Sequence, residues 1–364
     1  MGKINKICFL ISDISKIGGT ERVCCEIANM LFIGGFQIHV LSMYDSKPFF
    51  KLAAGIKSSS VLAKKVNKLL IPHTIWKLRR KLQMINPDVI IDVDSALFIY
   101  TRLASLKMPL KIIIWEHFNF QFARQALARR WSRKFALKFA DAIITLTAKD
   151  RAVWQKFTST VPIFHIPNPA PTVPVQLKRV EKRKIVLSVG RLTSQKGFDL
   201  LLEVWENVRQ NDISNWTLYI VGSGELENVL KKKIAQLNFE TSVQLIPSTR
   251  EIEKYYQQAA IFCMTSRFEG FPMVLLEAQA FGLPLVSFNC ETGPSEIITS
   301  GYNGILVENG NINAMAKELS TLMDSEETRR KYGNNSLKNA QKYQGDEIIK
   351  LWFKVFSELS EPLK

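Results

Sequence analysis

Two glutamates, Glu269 and Glu277, bracket the run EGFPMVLLE with seven residues between them. A helix starting near Pro272 puts Glu277 about a turn and a half inside it and leaves Glu269 ahead of its first turn. The free N–H groups of Phe271, Met273 and Val274 then face outward, where they suit a phosphate or sugar hydroxyls. A carboxylate pair can also be the acid and base of a glycosidase. With one member on a loop and the other inside a helix, this pair suits hydroxyl recognition better. Arg191 and Lys196, in GRLTSQKG, follow an apolar run. Proteins with alternating strands and helices place ligands past the carboxyl ends of strands, and two cations there can neutralise a diphosphate as it leaves. Gly18 and Gly19, before Thr20 and Glu21, let a diphosphate or sugar approach the backbone, although a tight turn without a ligand explains them equally well. Asp92-Val93-Asp94 has the form of a metal-binding DxD; at the end of a strand it reads as structural or acceptor-side.

The elements that must hold these residues alternate. Short apolar runs near Lys6 to Ser12, Gln37 to Ser42, Val89 to Asp92, Ile112 to Trp115, Ala142 to Leu146 and Ile163 to Ile166 predict one α/β doubly wound domain over residues 1–168. Pro167, Pro169, Pro171 and Pro174 open a stiff, then charged, linker over 169–184. A second series, near Ile185 to Val189, Thr217 to Val221, Val243 to Ile246, Ile261 to Met264, Leu285 to Phe288 and Gly304 to Val307, predicts a second such domain over 185–345. In 346–364, Ile348, Trp352, Val355, Phe356 and Leu359 recur at helical spacing and predict a terminal helix that docks on the protein.

The chain has 364 residues, 46% of them apolar and 23% charged, which excludes disordered and fibrous classes. No run is long and apolar enough to span a bilayer, and the opening strand reads as a cytoplasmic start rather than a signal peptide. The five cysteines lack metal or CxxC spacing and read as buried thiols. The net charge of +16 lies in the first half: residues 1–170 hold 26 Lys and Arg against 10 acids, the remainder 23 against 23. From Ser46 to Pro87 there are ten cations and no acid, and from His117 to Ala140 six and none. In the first stretch Val61, Leu62, Val66, Leu69, Leu70, Ile75, Trp76, Leu78 and Leu82 interleave with Lys64, Lys65, Lys68, Lys77, Arg79, Arg80 and Lys81. This pattern fits an interfacial helix pair on anionic lipid; an ordinary solvated face is the plainer reading. Nucleic acid is not expected, since no recognition motif accompanies the charge.

The set GGTE at Gly18, EHFN at Glu116, GRLTSQKG at Gly190, GSGE at Gly222 and EGFPMVLLE at Glu269 resembles glycosyltransferase family 4, retaining enzymes of the GT-B fold, across nearly the whole chain. The resemblance implies two facing Rossmann-like domains, with the C-terminal helix packing back on the first. It implies that Arg191 and Lys196 bind the diphosphate of a nucleotide sugar, Glu277 the ribose hydroxyls and Glu269 the hexose. The backbone from Phe271 through Pro272 and Met273 to Val274 would hold sugar and phosphate, Gly18 and Gly19 would line the donor site, the loop at Pro247 would take the base, and His117 would contact the donor sugar near its reacting carbon. It implies no metal and no cofactor. Arg267 and Pro169 depart from the family pattern. The expectation is a metal-independent hexosyltransferase, peripheral on the inner face of the membrane, moving a hexose from a UDP-sugar to a membrane-anchored glycan. A nicotinamide-dependent oxidoreductase is the first alternative, though GSGE lacks the third glycine of the dinucleotide fingerprint. A non-catalytic basic module that binds lipid or polyanion is the second.

Overall fold

Strands rich in Ile and Val, separated by amphipathic helices, build two parallel sheets. The computed structural model describes residues 4–45, 47–63, 71–120, 127–158, 160–171, 173, 182–209 and 215–360. It divides into two units, 1–168 with 345–364, and 169–344.

The first unit contains β1 (Lys6–Asp13), α1 (Gly19–Ile33), β2 (Gln37–Tyr44), β3 (Lys57–Leu62), α2 (Ile71–Ile85), β4 (Val89–Val93), α3 (Phe98–Ala104), β5 (Lys111–Glu116), α4 (Leu127–Phe139), β6 (Ala142–Thr145), α5 (Ala148–Gln155) and β7 (Ile163–His165). Its sheet runs β3-β2-β1-β4-β5-β6-β7, so the order reverses between β1 and β4. β4 is buried along its whole length, as expected of a strand covered on both faces. One apolar core, including Leu10, Ile90, Ile114, Ile143 and Trp154, underlies the sheet.

The second unit contains β8 (Ile185–Val189), α6 (Phe198–Arg209), β9 (Thr217–Val221), α7 (Glu227–Gln236), β10 (Val243–Ile246), α8 (Glu253–Gln258), β11 (Ile261–Met264), α9 (Met273–Ala280), β12 (Leu285–Asn289), α10 (Pro294–Ile297), β13 (Gly304–Glu308), α11 (Ile312–Asp324) and α12 (Glu326–Ala340). The sheet order is β10-β9-β8-β11-β12-β13, reversing between β8 and β11. Its core gathers Val186 and its cross-strand partner Leu218 with Trp205, Ile261 and Leu319.

The terminal helix, α13 (Gly345–Ser360), belongs to the first unit. It buries Ile348, Trp352, Val355, Phe356 and Leu359. Trp352 meets Trp115 edge-on at 5.1 Å, and Phe353 and Phe356 lie 5.7 and 5.4 Å from Phe36. A Cβ on Gly34 would come within 2.8 Å of the Phe353 ring, so that glycine admits the helix.

The expected interfacial helix pair needs correction. Val61 and Leu62 end the strand β3 and are buried, and Leu78 and Leu82 of α2 face the core. These four aliphatic residues are therefore not free to enter a lipid surface. Lys64, Lys65, Val66, Lys68, Leu69 and Leu70 lie outside the described residues, as do residues 174–181 of the expected linker. All five cysteines are free and buried.

Candidate active site

In the second unit the chain reverses its sheet order between β8 and β11, which opens a crevice at the carboxyl ends of those strands. Arg191 and Lys196 come from the loop after β8, Glu269 from the loop after β11. Across that crevice Lys196 Nζ lies 2.7 Å from Glu269 Oε1, with the two side chains 16% and 7% exposed. Gly190 matters because a Cβ there would press on the Lys196 stem at 3.2 Å. Arg191 is exposed, and its guanidinium has no partner among the described residues.

Glu269 leads into α9, whose N-cap is Pro272, as the sequence predicted. The first helical turn leaves the N–H groups of Met273 and Val274 without intrahelical acceptors. Gly293, at φ +97, packs its backbone on this turn: a Cβ would lie 2.5 Å from Pro272 Cδ and 3.0 Å from the Gly270 carbonyl. Thr292 Oγ1 donates to the Glu269 carbonyl at 2.7 Å and fixes the loop from the same side. Glu277 sits inside α9, buried, accepting from the Tyr256 hydroxyl at 2.7 Å. Tyr256 in turn stacks on Phe281, with 9° between the ring planes.

The GSGE glycines have a packing reason rather than a dinucleotide one. A Cβ on Gly222 would lie 1.9 Å from the Gly190 carbonyl, and one on Gly224 2.5 Å from that of Leu192. They let the loop after β9 lie against the loop that carries Arg191. Ser223 accepts from the Ser248 N–H at 3.0 Å, so the Pro247 loop, past the end of β10, is tied to the same place.

In the first unit, Gly18 and Gly19 open α1 after β1, Asp92 to Asp94 end β4, and His117 follows β5; these three strands are neighbours in the sheet. His117 is buried, 4.5 Å from the Trp115 ring, and its Nε2 has no hydrogen-bond partner among the described residues. Burial lowers its pKa to about 4, with Asp94 opposing, so the imidazole is neutral at neutral pH. An unsatisfied buried ring nitrogen costs roughly 1–3 kcal/mol, a cost that a bound hydroxyl would remove.

The DxD motif serves the loop beside His117. Asp92 is fully buried and accepts from Thr101 Oγ1 at 2.7 Å, and burial pushes its carboxyl well above the usual range. Asp94, at φ +113, caps a short turn through the Ala96 N–H and pairs with Arg129. That guanidinium lies over Phe118, at 4.4 Å from the ring centroid. Arg133, one helical turn on, is buried against Glu116 at 2.9 Å and donates to the carbonyls of Phe118 and Phe120. Burial raises the Glu116 carboxyl pKa, and Arg133 works against that rise. Among the described residues, no cluster of three or more His, Cys, Asp or Glu could hold a metal ion.

Sequence reasoning missed Tyr256, Arg129 and Arg133. The arginines were counted as surface charge. Their spacing with Ser132 and Ala136, small residues on the same face of α4, was the available signal. Nothing local marks Tyr256.

Residues 17–173 match the family described as Glycosyltransferase Family 4, and residues 171–339 match Glycosyl transferases group 1. An uncharacterized glycosyltransferase of Haemophilus influenzae is 36% identical over 357 residues, covering 96% of this chain and 99% of that one. An α-1,4-N-acetyl-D-galactosaminyltransferase of Campylobacter jejuni, named for a diNAcBac-PP-undecaprenol glycan, is 25% identical, covering 97% of this chain and 99% of the other. Among solved structures, S. aureus TarM in complex with fondaparinux, α-GlcNAc-glycerol and UDP superposes with a TM-score of 0.83 at 18% identity, covering 97% of this chain and all of TarM, which shows a common fold.

Proposed function

The chain belongs to the glycosyltransferases that those two families describe, with the GT-B fold, and we propose that it transfers a hexose from a UDP-sugar to a membrane-anchored glycan, with retention of configuration and without a metal. The observation that carries the donor reading is the pair of Lys196 and Glu269 across the sheet-reversal crevice, beside the N-terminus of α9. One ammonium N–H is engaged by Glu269, which leaves two to meet a diphosphate. Arg191, with no partner among the described residues, adds a second cation, so the developing charge on the leaving group meets fixed positive groups in the place of a divalent ion. The N–H groups at Met273 and Val274 take phosphate or sugar oxygens. Glu269 Oε2 accepts from a hexose hydroxyl. Glu277, held by Tyr256, accepts from the ribose, and the loop at Pro247 takes the base. His117, neutral and with Nε2 open, meets a sugar hydroxyl in the first unit, where Gly18 and Gly19 let the donor approach backbone. That TarM was solved with UDP supports the choice of nucleotide, and the lipid-linked glycan in the Campylobacter relative's name supports the class of acceptor.

The exposed face of α4 supports a membrane contact there. Its large rings point away from the core: Trp131, Phe135 and Phe139 are 56%, 45% and 38% exposed, with Arg130, Lys134 and Lys138 beside them. Trp76 on α2 is 51% exposed with Arg80 over its ring at 5.2 Å. Rings flanked by cations suit an anionic headgroup layer on the inner face of the membrane.

The test is a screen of UDP-, GDP- and ADP-hexoses for hydrolysis or transfer to a lipid-linked glycan analogue, with and without excess EDTA. Turnover with a UDP-hexose, insensitive to EDTA and giving the same anomer, is expected. Preference for another nucleotide, or activity lost to EDTA and restored by Mg²⁺ or Mn²⁺, overturns that part of the proposal.

A further inference from the structure

Arg267, immediately before the acidic element, has no role in the chemistry above. Its guanidinium grips Asp199 with both arms, Nη1 to Oδ1 at 2.8 Å and Nη2 to Oδ2 at 2.6 Å, and Nη1 also donates to the Ser194 carbonyl at 2.8 Å. The surrounding backbone is laced in the same direction. The Arg267 N–H donates to the Gln195 carbonyl at 2.8 Å, and Gln195 Nε2 donates to the Phe268 carbonyl at 3.1 Å. Thr265 Oγ1 donates to the Gly197 carbonyl at 2.9 Å. Gly197, at φ +64, would place a Cβ 2.1 Å from the Thr265 carbonyl, so the two segments touch through bare backbone.

The segment from Ser194 to Asp199 carries Lys196, and the segment from Thr265 to Glu269 carries Glu269. Arg267 joins the first of these at two places, a carbonyl before Lys196 and a carboxylate after it. Its own pair with Asp199 is about one-third exposed on both sides, 34% and 37%, and contributes little stability by itself. What it supplies is geometry: a planar fork fixes distance and orientation together, which a lysine at the same position does not. The hydrogen bonds from Arg267 hold the Asp199 carboxyl below the usual range, so the carboxylate stays charged in mildly acidic solution.

We propose that Arg267 and Asp199 are a positioning pair that aims the Lys196 ammonium at the distal phosphate of a nucleoside diphosphate. This rests on the reading of Lys196 as a diphosphate contact. Arg267 spends its N–H groups on Asp199 and Ser194, which distinguishes it from Arg191, whose guanidinium has no partner among the described residues.

Calorimetry with UMP and UDP on the wild type, Arg267→Lys, Asp199→Asn, Lys196→Ala and Lys196→Ala/Arg267→Lys separates the possibilities. GMP/GDP and AMP/ADP are run alongside, and the pair that the wild type binds most tightly is the one compared. Arg267→Lys and Asp199→Asn each lower the diphosphate-over-monophosphate preference about tenfold, equivalent to about 1.4 kcal/mol, with monophosphate affinity unchanged. In the Lys196→Ala background Arg267→Lys has no further effect, because the path through Lys196 is already gone. An additive loss there makes Arg267 a direct phosphate ligand and overturns the proposal. Equal losses for monophosphate and diphosphate overturn it in favour of a general packing role. If Lys196→Ala itself keeps the wild-type preference, the underlying reading of Lys196 fails, a result seen without any change at Arg267.

Discussion

Replacing Lys196 by alanine strikes binding and folding together, and the structure separates the two. Among the described residues, Lys196 is the hydrogen-bond partner of the Glu269 carboxylate, which is only 7% exposed. Removing one member of a buried pair costs about 3–5 kcal/mol because the other charge is left behind. Lys196 itself is 16% exposed, so water can reach part of the space it leaves, and the low end, about 3 kcal/mol, applies. That is a large part of a total stability of roughly 5–15 kcal/mol. Neutralising the survivor removes the penalty: Lys196→Ala/Glu269→Gln is expected to be more stable than Lys196→Ala by at least about 1 kcal/mol. Turnover behaves differently. Both variants lose the cation that meets the leaving diphosphate, so both fall by about 100-fold or more, near 2.7 kcal/mol of transition-state stabilisation. Urea denaturation followed by circular dichroism, together with transfer rates per folded enzyme, measures both quantities. Lys196→Ala turnover within threefold of wild type refutes the donor-site reading. A double variant no more stable than the single refutes the view that an orphaned Glu269 is the source of the instability.

Glu277→Ala is expected to weaken UDP binding itself, and Tyr256→Phe to weaken it less, whereas Glu269→Gln lowers sugar turnover and leaves UDP affinity nearly intact; calorimetry showing the reverse order contradicts the assigned roles. Because His117 titrates at about 4 in the fold and near 6.5 when unfolded, the unfolded chain takes up its proton first. Its contribution is complete above pH 6.5 and is lost as pH falls toward 4, and His117→Gln should flatten the acid side of the stability profile by about 3 kcal/mol, read from denaturation midpoints at each pH. Liposomes containing anionic lipid should sediment the protein, less so at high salt or after Lys77, Arg80, Lys134 and Lys138 are changed to Glu, while transfer to a soluble acceptor analogue survives; equal binding to neutral vesicles rejects the charge argument. Arg79 is left out of that set because it donates to the carbonyls of Ala104 and Leu106, so its replacement would test folding.

Buried strands were legible because each is a short apolar run that both sheet faces demand. β3 was missed for the same reason in reverse. It is an edge strand reading KSSSVL, half-exposed over its serines, with no apolar run to announce it. The amphipathicity of α4 reads backwards: a ring stripe of Trp131, Phe135 and Phe139 predicts a buried face, yet the buried side is Ser132, Arg133 and Ala136. A sequence shows that a helix has two faces, and only tertiary partners such as Glu116 decide that arginine turns inward. The motifs at Lys196 and Glu269 were readable as separate elements, and the sheet reversal explains why they meet. Arg267 was noticed as an oddity but not as a brace, since its partner Asp199 lies 68 residues away along the chain.

The return of α13 to the first unit has a consequence for how the chain is made. Synthesis proceeds from the N-terminus, and Asn168 leaves the ribosome well before Gly345. At about 5–20 residues per second, the intervening segment delays α13 by roughly 10–35 s. During that interval Trp115 and Phe36 lack the aromatic cover that Trp352, Phe353 and Phe356 later supply. The second unit, continuous from Pro169 to Gln344, can complete its fold while the first is still waiting. A stall or a nonsense codon ahead of Gly345 would therefore leave the later-made unit intact and the earlier-made one open, a substrate for chaperones and proteases at the end of the molecule that was translated first.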